Sequence, residues 1–167
     1  MVGIRNAFLL VIAAALLALF TNTDTAIAAD DPAQKAVLIT GANSGIGRKI
    51  AERLASEGYF VYAGARKDAD IKALSAIPNM QGVRLYVTIQ ADIDAAVQLV
   101  EAGGRGLYGL VNNAGVVVMG LLTDTEESEL DFLFDVNVYG PYRMVRAFAP
   151  LLIESKGRVI NIRSMAG

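Results

Sequence analysis

Three glycines at one strand-to-helix corner constrain the fold of this chain more than any other feature. In "VLITGANSGIGRKIAERL" (Val37 to Leu54), an apolar run meets a run with apolar residues at helical spacing, and Gly41, Gly45 and Gly47 stand at the junction. A corner with so few side chains lets backbone N–H groups and a helix N-terminus approach an anion. The alternative is a tight turn that needs glycine only for its conformation. Because strand, spacing and helix agree, the pattern predicts a pyrophosphate-binding corner.

The rest of the sequence alternates apolar runs with helical patterns. These patterns predict strands over residues 36–40, 59–66, 82–88, 107–115 and 157–164, and helices over 46–58, 69–77, 91–103 and 126–155. Gly140-Pro141 predicts an irregularity inside the last helix. Such alternation is typical of a parallel sheet with helices on both faces. We therefore expect an α/β, Rossmann-type doubly wound fold over residues 36–167, with ligands bound beyond the carboxyl ends of its strands.

The composition excludes several kinds of chemistry. The 167 residues include no cysteine and no histidine, which excludes disulfides, thiol nucleophiles, Ser-His-Asp catalysis and ordinary zinc sites. We expect no metal site. A formal net charge of -2 offers no basic surface to nucleic acid. Any reaction has to use Ser, Tyr, Lys, Asn, carboxylates or a bound cofactor.

The N-terminal segment is typical of a targeting signal. Arg5 precedes the apolar residues 7–20, and Ala26 and Ala28 are spaced like a cleavage site. The run is shorter than the roughly 20 residues that span a bilayer. We expect a cleaved signal peptide over residues 1–29, with an uncleaved anchor that contacts the membrane through residues 7–20 as the alternative. The domain would then be secreted, periplasmic or in an organelle lumen, or else anchored to a membrane.

"TGANSGIG" (Thr40 to Gly47) resembles the cofactor motif of the short-chain dehydrogenase/reductase family. "LVNNAG", "DVNVYG" and "GRVINIRSMAG" resemble its later motifs in the same order, at residues 110–115, 135–140 and 157–167. Members of that family transfer hydride between a nicotinamide ring and an alcohol or carbonyl carbon. The resemblance therefore implies an NAD(P)-dependent oxidoreductase that acts on an alcohol or carbonyl group of a small, fairly apolar molecule.

The same resemblance implies roles for individual residues. Ser164 would hydrogen-bond the substrate oxygen, and Asn137 would support a proton-relay water. Because asparagine is a poor helix-interior residue, Asn137 predicts a local irregularity in its helix, and the alternative is a tolerated polar residue that faces a neighbouring loop. Two interpretations of Asn112 stay open with equal weight: it belongs to the turn of the cofactor site, or its side chain cross-links neighbouring strands. The residues implied to bind the cofactor are Gly41, Asn43, Ser44, Gly45, Ile46, Gly47, Arg66, Asn113, Ala114 and Gly115.

Arg66 bears on which cofactor is bound. It ends the predicted second strand, where the resemblance places the ribose of the adenosine. An acid there would accept hydrogen bonds from the ribose hydroxyls, whereas a cation suits a 2′-phosphate. Arg66 and Lys67 therefore predict NADP rather than NAD, and the alternative is a pair of solvated charges.

Three departures from the family pattern matter. Tyr86 stands where relatives usually carry an aspartate that contacts adenine, and its ring suits stacking instead. Arg163 replaces a common serine beside Ser164. The family's Tyr-x-x-x-Lys pair, which supplies its general acid/base, does not occur shortly after Ser164 in the 167 residues. We therefore expect an N-terminal portion of such an enzyme, ending after about the fifth strand.

Two other hypotheses stay open at this point. A truncated relative would bind a dinucleotide without catalysing a reaction, which the retained glycine corner favours. A broken reading frame would give no stable product. A homo-oligomer is expected only for a full-length enzyme, because the family pairs a later helix with the long one predicted over residues 126–155.

Overall fold

The computed structural model describes residues 34–163, in which helices alternate with five strands. The signal or anchor predicted over residues 1–29 lies outside the described residues. Within residues 34–163, no helix is both long enough and apolar enough to cross a membrane. A 3-10 turn covers Leu122–Asp124 and a π-helical turn covers Asp135–Tyr139. The other elements are β1 (Ala36–Ile39), α1 (Gly45–Ser56), β2 (Phe60–Ala65), α2 (Asp68–Ser75), β3 (Met80–Arg84), α3 (Gln90–Ala102), β4 (Gly109–Asn112), α4 (Glu127–Phe134), α5 (Gly140–Glu154) and β5 (Arg158–Asn161).

The five strands form one parallel sheet in the order β3-β2-β1-β4-β5. In register, Val37 lies opposite Val61 on one side and Gly109 on the other, and Gly109 lies opposite Arg158. The strand order reverses between β1 and β4, because the chain first builds outward from β1 to β3 and then returns to β4. This doubly wound sheet confirms the predicted fold class. In such a sheet the ligand crevice lies at the carboxyl ends of the two strands beside the reversal.

Apolar side chains cover both faces of the sheet. All four residues of β1 are buried, which explains why its sequence is apolar without alternation. Leu38 packs on the same face as α3 and α5, in a core with Ile93 and Phe148. Its neighbour Ile39 points to the opposite face and packs in a core with Leu74 of α2. β1 therefore lies between two layers of helices, which fix the position from which the following loop starts.

β3 lies earlier than the strand predicted over residues 82–88. It ends at Arg84, and the next residues form a turn that leads into α3. The Tyr86 N–H donates to a carboxylate oxygen of Asp92 at 3.1 Å, and the Tyr86 carbonyl accepts from the Ile89 N–H at 3.0 Å. These bonds replace the strand ladder, so the segment predicted as the end of a strand is a loop at the carboxyl edge of the sheet.

β4 and β5 are also shorter than the segments predicted over residues 107–115 and 157–164. β4 stops at Asn112, because the following residues turn toward the first strand and bond to it. β5 stops at Asn161 and lies at an edge of the described sheet, where Val159 is 38% and Ile160 50% exposed.

The helix predicted over residues 126–155 is interrupted, and the interruption lies earlier than Gly140-Pro141. The π-helical turn over Asp135–Tyr139 separates α4 from α5. Pro141 has no N–H to donate to the carbonyl four residues before it, so the regular α-helical ladder cannot run through this point. The irregularity predicted at Asn137 is therefore confirmed, since that residue lies in the middle of the π turn.

We predict that Phe148→Ala lowers the free energy of unfolding of the full chain by about 3–5 kcal/mol, because it opens a cavity under β1. Phe148 is fully buried, whereas Phe134 is 52% exposed. The matched variant Phe134→Ala should change stability by less than about 1 kcal/mol. Urea denaturation followed by circular dichroism measures both. Equal losses in the two variants would contradict the described core.

Candidate functional site

A cleft of about 330 Å³ opens at the carboxyl edge of the sheet, beside the reversal of strand order. Its volume lies in the range of small-ligand sites. The corner after β1 forms one wall, the ends of β2 and β3 form another, and the loop after β4 closes the floor. The cleft therefore joins several segments that the sequence predicts to bind a cofactor. The predicted residues that line it are Gly41, Asn43, Ser44, Arg66, Asn113, Ala114 and Gly115.

Two glycines of the corner are required by close packing. Gly41 has a φ of +65°, and a Cβ there would lie 3.0 Å from the Ala114 Cα. A side chain at Gly47 would overlap the Asn113 amide and the Gly41 carbonyl. A larger residue at either position would strain the turn or push α1 away from it. The glycine spacing therefore brings β1, α1 and the β4 loop into direct contact.

Thr40 and Asn113 tie the corner to the loop after β4. The buried Thr40 Oγ1 accepts hydrogen bonds from the backbone N–H groups of Asn113 and Ala114, both at 2.9 Å. The side chain of Asn113 donates in the same direction, from Nδ2 to the carbonyls of Thr40 at 3.0 Å and Gly41 at 3.1 Å. These four bonds satisfy groups at both strand ends. They fix the corner after β1 and the loop after β4 relative to each other.

The N-terminus of α1 is open toward an anion. Ser44 occupies the N-cap position and lines the cleft, but its hydroxyl makes no capping hydrogen bond, and the first turn contains no acidic residue. The unpaired N–H groups and the helix dipole at such an end attract negative charge. Gly45, Ile46 and Gly47 lie in this first turn rather than in the cleft lining, and the Ile46 side chain is 62% exposed. The two glycines could therefore contact a cofactor only through the backbone.

Arg66 places positive charge on the opposite rim. Its carbonyl accepts a hydrogen bond from Arg84 Nη1 at 3.3 Å, and the Arg84 guanidinium is also paired with the Asp68 carboxylate. Asp68, the acidic residue nearest to Arg66 in sequence, is therefore already paired with Arg84. Among the ion pairs formed within residues 34–163, none includes Arg66 or Lys67. The Arg66 side chain is exposed and borders the cleft, so its charge is available to an anionic ligand.

Asn137 lies behind the cleft and holds one of its lining residues. Its Nδ2 donates to the Val116 carbonyl at 2.8 Å, and its Oδ1 accepts from the Val116 N–H at 2.9 Å. Arg143 secures the π turn by donating to the Asp135 carboxylate at 2.6 Å and the Asp135 carbonyl at 3.3 Å. The side-chain amide of Asn137 therefore shapes the loop after β4. Its implied part in a proton relay stays a prediction.

Asn112, which the sequence also singles out, lies apart from the cleft lining. Asn112 is 4% exposed, and its Nδ2 donates to Asn161 Oδ1 at 2.9 Å across β4 and β5. This contact favours the structural alternative for Asn112. Ser164 lies outside the described residues, so its implied role stays a prediction.

Much of the cleft lining carries no motif that could have been recognised in the sequence. Val87 and Thr88 fall within the strand predicted over residues 82–88, so nothing marks them as ligand-binding residues. Phe132 falls within the helix predicted over residues 126–155, whose one distinctive feature is an acidic start. Within residues 34–163, no cluster of three or more carboxylates could hold a metal ion. The lining residues that we did not predict are Gly64, Ala65, Leu85, Val87, Thr88, Phe132 and Val136.

Comparison with known sequences gives consistent matches. A sequence model of the short chain dehydrogenase family matches residues 35–167. The mitochondrial D-beta-hydroxybutyrate dehydrogenase of Mus musculus is 36% identical over 157 residues, which cover 88% of this chain and 46% of that protein. The short-chain dehydrogenase PC-15 of Penicillium crustosum is 40% identical over 136 residues, covering 80% and 50%. The chain thus spans about half the length of the curated relatives it matches.

Solved structures share the fold at similar identity. A short-chain dehydrogenase from Streptomyces avermitilis superposes with a TM-score of 0.74 at 37% identity, covering 80% of this chain and 50% of that one. A metagenomic short-chain oxidoreductase in complex with NADP superposes with a TM-score of 0.71 at 35% identity, covering 79% and 63%.

We predict that Thr40→Val lowers the free energy of unfolding by about 2–3 kcal/mol, because it keeps the shape of the side chain and leaves two backbone N–H groups without their acceptor. Thr40→Ser keeps the hydroxyl and should retain most of the lost stability. Urea denaturation of the full chain compares the three proteins. A valine variant as stable as the serine variant would show that these bonds do not hold the two loops.

Proposed function

Since the chain belongs to the short-chain dehydrogenase family, we propose that its cleft binds the dinucleotide NADP. We further propose that the whole protein is an oxidoreductase acting on an alcohol or carbonyl group of a small apolar molecule. One observation carries the cofactor proposal: the glycine corner, with its open helix N-terminus, is hydrogen-bonded to the loop after β4, and Arg66 borders the same cleft. The helix N-terminus offers a position for the pyrophosphate, and Arg66 offers one for the 2′-phosphate.

The described residues suggest how the dinucleotide would be held. Its pyrophosphate would lie on the corner after β1, where Gly41 and Ser44 border the cleft and the N–H groups of α1 are open. A 2′-phosphate would meet Arg66, whose guanidinium presents several donors to a phosphate group. The bound nicotinamide would supply or accept hydride. The NADP complex of the metagenomic relative supports this choice of cofactor.

Apolar side chains in the loop after β4 support the proposal of an apolar substrate. Val116 lines the cleft, and the segment that follows exposes Val117, Met119 and Leu121 at 78%, 88% and 70%. Large apolar side chains with such exposure leave surface that a small apolar molecule can cover. By the family resemblance, we propose that Ser164 contacts the reacting oxygen and Asn137 supports proton transfer.

The N-terminal segment supports a proposal about location. Its short apolar run and spaced small residues favour export, or attachment to a membrane, for the cofactor-binding domain. In the second case residues 7–20 would contact the lipid.

We predict that the full chain binds NADPH saturably and more tightly than NADH. Arg66→Ala should reduce the ratio of the two affinities about ten-fold, which corresponds to one charge-assisted hydrogen bond of about 1.4 kcal/mol. Isothermal titration calorimetry measures both ligands. Lys72→Ala, at an exposed position of α2 outside the cleft, is the matched control and should leave the ratio unchanged.

Each result bears on a separate part of the proposal. Tighter NADPH binding by Arg66→Ala would reject the 2′-phosphate role. Absence of saturable binding of either dinucleotide by the unmodified chain would reject the cofactor proposal as a whole.

A further inference from the structure

We propose that Tyr86 and Arg66 hold the base of the dinucleotide between the face of the tyrosine ring and the plane of the guanidinium. This inference rests on the proposed function and assigns recognition of the base to stacking. Both residues border the cleft, at the ends of β2 and β3 and away from the helix N-terminus that would hold the pyrophosphate. The base is therefore the part of the ligand that would lie between them.

The gap between the two side chains suits an inserted planar group. The Arg66 Cζ lies 6.0 Å from the centroid of the Tyr86 ring. That distance is at the outer limit of a cation–π contact, so the pair is not closed on itself. Carbon atoms pack at about 3.5–4.0 Å, so a flat base with a neighbour on each face needs about 7 Å. Because Arg66 is exposed, its side chain can open the gap by the remaining ångström.

The backbone holds both stacking groups in place. On one side, the Tyr86 N–H donates to Asp92 at 3.1 Å and the Tyr86 carbonyl accepts from the Ile89 N–H at 3.0 Å. On the other, Arg84 donates to the Arg66 carbonyl at 3.3 Å. The two side chains therefore project from fixed points, which lowers the entropy lost when a ligand binds. The Tyr86 ring is also half-buried, so only part of it needs to be desolvated.

Arginine can serve the base and the 2′-phosphate at once. Its guanidinium is planar, so it stacks on an aromatic face while its N–H groups point outward in the same plane toward an anion. Tyr86 has no such second role, and its ring face meets adenine and hypoxanthine alike. Substitution of Tyr86 should therefore affect ligands with either base equally, which separates stacking from recognition of the edge of the base.

Calorimetry of the full chain with NADPH, and with the analogue in which hypoxanthine replaces adenine, tests this inference. Tyr86→Leu should weaken the binding of both ligands by about ten-fold, as expected for the loss of one base–aromatic stack. Tyr86→Phe keeps the ring and should change both affinities by less than about two-fold. Tyr86→Met serves in place of the leucine variant if that protein does not fold.

A second tyrosine provides a matched control. The Tyr108 ring also faces cations, with Lys35 Nζ at 4.3 Å and Arg158 Cζ at 4.9 Å from its centroid, but it precedes β4 at the opposite edge of the sheet. Tyr108→Leu should leave both affinities unchanged.

The inference is overturned if Tyr86→Leu binds both ligands normally while the unmodified chain binds NADPH. It is also overturned if Tyr86→Phe loses as much affinity as Tyr86→Leu, or if the loss is confined to adenine, because the hydroxyl would then read the base. Absence of dinucleotide binding by the unmodified chain rejects the proposed function, and this inference with it.

Discussion

The hydrogen bonds that Asn113 donates to Thr40 are the contact on which the site depends. They join the carboxyl ends of β1 and β4, where the strand order reverses and a crevice opens between helices on opposite faces. With the two loops locked together, the glycine corner can lie close to α1 without a side chain between them. The open helix end and the loop after β4 are then held at fixed positions relative to each other.

Most of the fold and the centre of the site could be predicted from the sequence, because both follow from local patterns. Apolar runs that alternate with helical spacing specify a parallel sheet, and glycines at a strand-to-helix junction specify the corner. The end of β3 could not be predicted in this way. Leu85 to Thr88 have the residue types of a strand, but the contact from Tyr86 to Asp92 turns them into a loop.

The roles of the asparagines were harder to predict, since an amide side chain serves a ligand and a backbone equally well. In the structure, Asn113 bonds to Thr40 and Gly41. Asn137 bonds to Val116, and Asn112 bonds to Asn161. Such hydrogen bonds join residues far apart in the chain, so they cannot be predicted from periodicity or motif spacing, which are local patterns. Arg66, by contrast, could be identified from its position at a strand end, and the structure leaves its charge uncommitted within the described residues.

Amide hydrogen exchange of the full chain, with and without saturating NADPH, tests most directly whether the locked corner is the dinucleotide site. We expect slower exchange for the amides of residues 41–47 and 113–116 when NADPH is bound, and little change around Tyr108 at the opposite edge of the sheet. Binding of NADPH without slower exchange in those two segments, or with protection centred elsewhere, would contradict this assignment.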